Sequence, residues 1–200
     1  MTRLALMYSL CMLVSADQFP TIDPNDPHAA DRMELLKIFH AVEESINAQN
    51  LAGMAAQMDE SVVVVWENGE VSRGPKEVLE YYDRMVKGKD RILEKYMTKA
   101  KLSGHARFLS NDIAIADGTM EDEFYPIIRG PFKLDARWTT TAARINGQWK
   151  VVSLHLSANV FNNVLLDEAK KALMIVGGCG AVLGLLIGIF AGRKMRSKAS

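Results

Sequence analysis

His155 and Asp117 are the residues whose types and positions best suit proton transfer. His155 lies between Ser153 and Ser157 in a predicted strand, so the three side chains share one face of that strand. An imidazole exchanges protons near neutral pH, and flanking hydroxyl groups fix its tautomer. Asp117 follows small residues in another predicted strand, where an inward-pointing carboxylate would have a raised pKa. The sequence predicts His155 and Asp117 as catalytic candidates; the alternatives are a structural histidine lining a pocket and a turn-forming aspartate.

A set of aromatic and polar side chains is predicted to surround a ligand. Aromatic rings provide apolar walls, and indole and phenol groups add hydrogen bonds. Arg137 suits an acidic substrate, and Ser157 lies beside His155. The predicted ligand-binding residues are Trp66, Tyr82, Tyr96, Arg137, Trp138 and Ser157. The alternatives are plain core for the aromatic residues and a solvated or dimer-facing charge for Arg137.

Charge and motifs exclude several classes of function. All 24 acidic residues lie within residues 17–171, where they outnumber the basic residues, so a strongly basic nucleic-acid binder is excluded and no nucleic-acid partner is predicted. Glu121-Asp122-Glu123 is predicted to be a solvated strand edge, because adjacent carboxylates on a strand point to opposite faces and rarely converge on one cation. No phosphate-binding, dinucleotide or zinc motif is present, so no metal and no cofactor is predicted. The remaining histidines have no ligand spacing: His28, His40 and His105.

The elements that must position these residues are helices followed by strands. Asp26-Pro27 is typical of a helix start, and apolar residues at helical spacing continue that helix to about Gln49. A second short helix is predicted over 51–58, a valine strand over 61–66 with an Asn68-Gly69 hairpin turn, and a third helix from Gly74-Pro75. Alternating residues then predict strands over 96–102, 106–109, 113–124, 134–145 and 149–159. This order predicts an α+β fold, with a curved antiparallel sheet packed on three N-terminal helices.

Three local patterns in this order resemble the nuclear transport factor 2 superfamily, in particular its SnoaL-like members. They are the Arg73-Gly74-Pro75-Lys76-Glu77 helix start, the run from Asp112 to Gly118, and the stretch from Asn146 to Ser157 that includes Trp149 and His155. The last stretch also resembles the end of the association domain of calcium/calmodulin-dependent protein kinase. The resemblance covers about residues 29–161 and includes neither terminal segment.

The resemblance implies a cone with a pocket between sheet and helices, and it implies pairing of subunits through the sheet. Such folds include isomerases, dehydratases and cyclases as well as binding and assembly domains, so the fold alone does not decide the activity. In the steroid isomerases the two functional carboxyl groups would fall near Val65 and Thr139 here, and neither residue supports that chemistry. The steroid isomerase reaction is therefore disfavoured.

Both ends of the chain have the composition of membrane-targeting segments. Residues 1–16 combine Arg3, an apolar run and a Val14-Ser15-Ala16 end, which predicts a secretory signal peptide followed by a linker over 17–28. Residues 172–191 contain no charge and match the thickness of a bilayer as a helix, which predicts a single transmembrane span preceded by a juxtamembrane segment over 162–171. The basic tail over 192–200 should stay in the cytoplasm, so the domain over 29–161 is expected on the outer side of the cell membrane, either periplasmic or extracellular.

Four glycines within and directly after this span recur at every fourth residue and so share one helix face: Gly180, Gly184, Gly188 and Gly192. Such a stripe lets two helices approach closely, which predicts a homodimer or a higher homo-oligomer. Cys179 would be the only cysteine after removal of residues 1–16, so no intramolecular disulfide is expected.

The sequence thus favours a membrane-anchored, self-associating domain that binds a small apolar ligand or serves as an assembly module. The alternative is a cofactor-free lyase or isomerase that uses His155 with Asp117 or Tyr96. A purely structural membrane protein, in which side chains fill the cavity, is a third interpretation.

Overall fold

The computed structural model describes residues 21–197, with side chains up to Ile189. The N-terminal part is helical, with α1 over Ala29–Asn47 and α2 over Leu51–Ala55, followed by the hairpin of β1 (Met58–Val65) and β2 (Val71–Arg73). Helix α3 (Gly74–Tyr82) continues into one π-helical turn over Asp83–Lys87. The strands that follow are β3 (Leu93–Leu102), β4 (Arg107–Ser110), β5 (Ile113–Pro126), β6 (Phe132–Ile145) and β7 (Gln148–Ala158), and the last helix, α4, covers Val164–Ser197.

The strands form one seven-stranded sheet in the order β2-β1-β7-β6-β5-β3, with β4 also paired to β5. All of these pairs are antiparallel except β1 with β7, which is parallel. Alternate residues of the long strands face the helices and are buried, as in Leu134, Ala136 and Trp138 on β6. The α+β architecture predicted from the sequence is confirmed.

Helix α1 is joined to the edge strand β3 by side chains that bond to its backbone. Asn47 donates to the carbonyl of Thr98 at 2.8 Å and accepts from the Thr98 N–H at 2.9 Å. Glu43 accepts from the Ala100 N–H at 2.8 Å. Backbone groups on the free edge of a sheet need partners when they are covered, and α1 supplies them here. This arrangement fixes the distance between α1 and the sheet, and hence the space between them.

The ends of the first two helices differ slightly from those predicted from the sequence. Helix α1 begins at Ala29 instead of Pro27, although Asp26 still accepts from the His28 N–H at 2.8 Å and from Arg32 Nε at 2.7 Å. Helix α2 ends at Ala55 because β1 starts at Met58. The Asn68-Gly69 turn between β1 and β2 is confirmed, and Gly69 has a φ of 82° that suits glycine.

Helix α4 leaves the domain as one continuous helix that starts with Asn163 accepting from the Leu166 N–H at 2.9 Å. Its Val164–Ile189 portion, 26 residues, is long and apolar enough to cross a membrane, and its apolar side chains are exposed. Most of the expected juxtamembrane segment over 162–171 forms the first two turns of this helix, which continues without a break into the apolar run. The predicted signal peptide over 1–16 lies outside the described residues, as do the side chains of the tail over 192–200 and the start of the linker over 17–28.

Candidate functional site

A cavity of about 150 Å³ lies between α1 and the inner face of the sheet. Its walls are almost entirely apolar and come from α1, β3, β5, β6 and β7, with Leu35, Phe39, Ala100, Met120 and Leu156 among the lining residues. His105, in the loop after β3, is the exposed residue of the lining, so the cavity opens beside that loop. The opposite end of the cavity is closed by aromatic rings.

Trp66, Tyr82 and Tyr96 form this closed end. Trp66 donates its indole N–H to Ser72 Oγ at 2.8 Å, so its hydrogen bond is made away from the cavity. Tyr82 and Tyr96 meet edge to face with ring centroids 6.4 Å apart, and burial raises the pKa of Tyr82 to about 12. These rings are therefore rigid and uncharged near neutral pH.

A buried acidic pair lies directly behind Tyr96. The Tyr96 hydroxyl donates to Asp122 Oδ1 at 2.6 Å, and Asp122 is 0% exposed. Burial and then the charge of Asp122 raise the pKa of Tyr96 well above its usual value. Burial also raises the pKa of the Asp122 carboxyl, while the hydrogen bond from Tyr96 opposes that effect. Asp122 is thus the acceptor at the centre of a small hydrogen-bonded cluster.

Glu67 is the second carboxyl group of this pair. Burial, and next the charge of Asp122, raise the pKa of Glu67 to about 8, so Glu67 holds a proton at neutral pH. Glu67 Oε1 and Asp122 Oδ2 are both buried without a hydrogen-bond partner in the structure, and two neighbouring carboxyl groups in such a site are expected to carry one proton between them. We therefore assign the proton of the pair to Glu67, while Asp122 accepts a hydrogen bond from Tyr96.

The sheet brings these residues together from distant parts of the chain. Glu67 follows the end of β1, Tyr96 and Thr98 lie on the inner face of β3, and Asp122 lies opposite Thr98 on β5. Thr98 lines the cavity, and its Oγ1 is buried without a hydrogen-bond partner. The Tyr96 hydroxyl and Thr98 Oγ1 are consequently the polar groups that connect the acidic pair to the cavity.

The expected solvation of the Glu121-Asp122-Glu123 run is wrong for its central residue. Lys133 bridges Glu121 and Glu123 on the outer face, at 2.8 and 2.5 Å, while Asp122 points inward with Met120 and Phe124. Residues of one parity on β5 face the core, and this alternation was the available signal. Glu67 was missed because it adjoins the Asn68-Gly69 turn, where side chains are usually solvated.

Trp66, Tyr82, Tyr96 and Trp138 all line the cavity, which is where the ligand-binding prediction requires them. Trp138 donates its indole N–H to the Thr119 carbonyl at 3.2 Å and presents its ring to Phe39. Contact of these four with a ligand remains a prediction.

The other predicted site residues lie on the outer face of the sheet. Asp117 pairs with Thr139, and Thr139 pairs with His155, so the three form an exposed row across β5, β6 and β7. Arg137 and Ser157 pair beside that row and line an open groove of about 630 Å³. His155 and Asp117 therefore do not line the cavity, and a reaction inside it has to use other residues.

A β-bulge explains why His155 faces outward. On β6, the neighbours Thr141 and Ala142 pair with Ser153 and Val151 of β7. Val152, between these two partners, is the extra residue of the bulge. Trp149 and Val151 face the core before the bulge, and Leu154 and Leu156 face it afterwards. Without this single extra residue, Ser153, His155 and Ser157 would point inward.

Within residues 21–197, no group of three or more histidine, cysteine, aspartate or glutamate side chains is arranged to hold a metal ion. The acidic pair also has only two carboxyl groups, one of them protonated, and a tyrosine that donates to it. This is a poor set of donors for a cation, which prefers ionised oxygen ligands.

Solved structures share this architecture, whereas no family model and no curated protein matches the sequence. A hexachlorocyclohexane dehydrochlorinase, LinA type 2, is similar with a TM-score of 0.60 at 15% identity, covering 68% of this chain and 89% of that one. A nuclear transport factor 2-like superfamily protein from Salmonella enterica has a TM-score of 0.54 at 16% identity, covering 66% and 93%. The chain has a nuclear transport factor 2-like fold.

A protein from Xanthomonas campestris assigned as a calcium/calmodulin-dependent protein kinase II association domain also has this nuclear transport factor 2-like fold. Its TM-score is 0.54 at 17% identity, and the match covers 71% of this chain and 95% of that one. Enzymes and association domains thus share the architecture, and at these identities the similarity shows the fold alone.

Proposed function

We propose that the nuclear transport factor 2-like domain binds one small, mostly apolar molecule that carries an oxygen atom. The supporting observation is the cavity of about 150 Å³, whose apolar walls end at the Tyr96 hydroxyl and at Thr98 Oγ1. Water is held in proteins by two to four polar partners, which most of this cavity lacks. Apolar cavities of roughly 150 Å³ admit molecules of about the size of benzene. A ligand hydroxyl or carbonyl is expected at the Tyr96 end.

Phenol is a suitable probe, because it combines an apolar ring of this size with one hydroxyl group. We expect phenol to raise the melting temperature, since a ligand that binds only the folded state stabilises it. Ala116→Phe fills the cavity from the inner face of β5 and should abolish that shift. Ala143→Phe adds the same ring on the opposite face of the sheet and should retain it. An equal phenol shift in Ala116→Phe would contradict binding in the cavity.

We further propose that α4 holds this domain at the outer surface of a membrane. The support is the exposed apolar helix over Val164–Ile189, together with the basic residues that follow it in the sequence: Arg193, Lys194, Arg196 and Lys198. The predicted signal peptide over 1–16 agrees with this orientation. The open glycine stripe of α4 supports self-association in the same membrane.

A second candidate function is cofactor-free proton transfer in the cavity, as in a lyase or isomerase. The observation that favours it is the chain of groups from Glu67 through Asp122 to the Tyr96 hydroxyl, which ends at the cavity wall. Glu67 stores a proton, and Asp122 and Tyr96 connect it to a ligand oxygen without access to bulk water. A group whose pKa lies close to the working pH is the most effective acid or base.

Elimination of water from small cyclic β-hydroxy ketones, in which the carbonyl group acidifies the C–H proton that is lost, tests this second candidate through the ultraviolet absorbance of the conjugated enone that forms. If the chain of groups transfers protons, Tyr96→Phe and Asp122→Asn should lower the rate by about 10²–10⁴-fold, the usual contribution of general acid–base catalysis. His155→Ala is the control and should leave the rate unchanged, because His155 is exposed on the outer face. The reverse pattern, with His155→Ala inactive and Tyr96→Phe active, would contradict the assignment.

A further inference from the structure

An exposed apolar patch lies on the side of the domain that contacts the start of α4. It consists of Ile92, before β3, and of Ile127 and Ile128, in the loop between β5 and β6; we call it the basal patch. Ile128 is 95% exposed, and Ile92 and Ile127 are 56% and 47% exposed. The Ile127 N–H donates to the Ile92 carbonyl at 3.1 Å, so the two segments form one surface. Adjacent exposed isoleucines are unusual on a solvated loop and indicate an interaction surface.

The basal patch is tied to the start of α4. Arg129, the residue after Ile128, pairs with Glu168 of α4 at 2.7 Å. The Arg129 guanidinium also lies 4.3 Å from the centre of the Phe132 ring, which holds the arginine in place. The loop that carries Ile128 is therefore level with Glu168.

The height of Glu168 along α4 can be compared with the edge of the hydrocarbon core of a bilayer. Glu168 precedes the uncharged run that begins at Ala172 by four residues, or about 6 Å at 1.5 Å per residue. The headgroup layer on each side of the hydrocarbon core is about 5–8 Å thick. Ile127 and Ile128 would thus lie in the headgroup layer when α4 spans the membrane.

We propose that the basal patch inserts into the interfacial layer of the same bilayer that α4 crosses. This inference rests on the proposed membrane anchoring by α4. The lipid surface suits the patch because its isoleucines are apolar, and exposed basic residues that can meet lipid phosphates precede Ile92 in sequence: Lys87, Lys89 and Arg91. The partner is the lipid surface and not a protein groove.

The consequence is a fixed orientation of the cavity. Strand β3 begins next to Ile92 and ends next to the loop that contains His105, ten residues or roughly 30 Å away. Two attachments, α4 and the basal patch, hold the domain upright on the membrane. The cavity then opens away from the bilayer, and its ligand enters from the aqueous phase.

Fluorescence quenching in vesicles tests the insertion with the full chain. In a background with Cys11→Ser and Cys179→Ser, three single-cysteine variants carry an environment-sensitive dye: Ile128→Cys, Leu109→Cys and Leu183→Cys. Leu109 is the matched control, because it is 58% exposed and lies on β4 at the far end of the sheet. Each variant is reconstituted in phosphatidylcholine vesicles with or without spin-labelled lipid.

We expect the dye at position 128 to lose most of its fluorescence with lipid spin-labelled near the headgroup, while the dye at 109 loses none. Equal, negligible quenching at 128 and 109 would overturn the inference. A shielded dye at 128 that lipid spin labels do not quench would overturn it as well, because another part of the protein would then cover the patch. The dye at 183 reports on the anchor separately: if it escapes quenching by lipid labelled deep in the acyl chain, the membrane anchoring itself fails.

Discussion

Glu67 and Asp122 occupy a buried site that tolerates one negative charge and not two. Moving a second charge out of water costs several kcal/mol, whereas a shared proton satisfies both groups. The Tyr96 hydroxyl donates to Asp122, which makes Asp122 the better place for the charge. Near neutral pH the folded domain therefore holds a proton that the unfolded chain releases.

The free energy of unfolding should consequently fall as the pH rises. The pKa of Glu67 goes from its ordinary 4.5 to about 8 on folding, so the stabilisation is complete below pH 4.5 and is lost as the pH rises through 8. Glu67→Gln should flatten this dependence in urea unfolding measured at a series of pH values. The exposed Glu94→Gln variant should keep it. A slope that Glu67→Gln leaves intact would argue against the shared proton.

The sequence predicted the aromatic part of the site and missed its acidic part, for a physical reason. Large rings in a small domain are buried whatever their function, so Trp66, Tyr82 and Trp138 were found through hydrophobicity. Burial of a carboxyl group depends on partners from other strands, which a single sequence does not reveal. Asp122 was detectable through strand alternation. Glu67 lies two residues after Val65, near which the resemblance to the steroid isomerases places one of their functional carboxyl groups.

At Gly118 on β5 the sheet has no room for a side chain. A Cβ atom there would lie 1.9 Å from the Lys101 carbonyl oxygen and 2.7 Å from the Trp138 ring. The glycine thus lets Trp138 cross β5 and form the cavity wall. Its role is packing, because its φ does not fall in the left-handed range.

Gly118→Ala should destabilise the domain by about 2–3 kcal/mol, the usual cost of overpacking a well-packed core. Gly130→Ala is the matched control, since nothing lies within 4 Å of its added Cβ, and it should change the stability by less than about 0.5 kcal/mol. Chemical denaturation of both variants measures the difference. Equal stability of the two variants would mean that β3 and Trp138 move aside freely.

The sequence predicted the positions of the strands better than the face of the sheet on which their side chains lie. Alternation and turn residues determined where β4 to β7 lie, because these are local properties. The bulge in β7 depends on pairing with β6, and nothing in the residues around Val152 marks it. One unpaired residue was therefore enough to place His155 and Ser157 on the wrong face.

Helix α4 presents glycines that have no neighbour outside their own helix among the described residues 21–197. Gly180, Gly184 and Gly188 have no atom within 4 Å of an added Cβ, so the stripe is free to meet another helix. Gly184→Ile should weaken self-association in vesicles by about 1–2 kcal/mol, within the range of helix contacts in membranes. Gly178→Ile lies off the stripe, about 120° around the helix from Gly184, and is the control. Energy transfer between labelled chains measures both; an equal effect would assign the loss to the helix as a whole.

The parallel pairing of β1 with β7 determines when this domain can be completed during synthesis. Val62 and Val64 are fully buried on β1, yet one of the two neighbours of β1 is the last strand of the sheet. Until that strand has left the ribosome, a valine-rich edge stays open to wrong partners, and long-range pairing of this kind is slow. Because α4 follows β7 after only five residues, the domain and its C-terminal helix are expected to mature almost simultaneously.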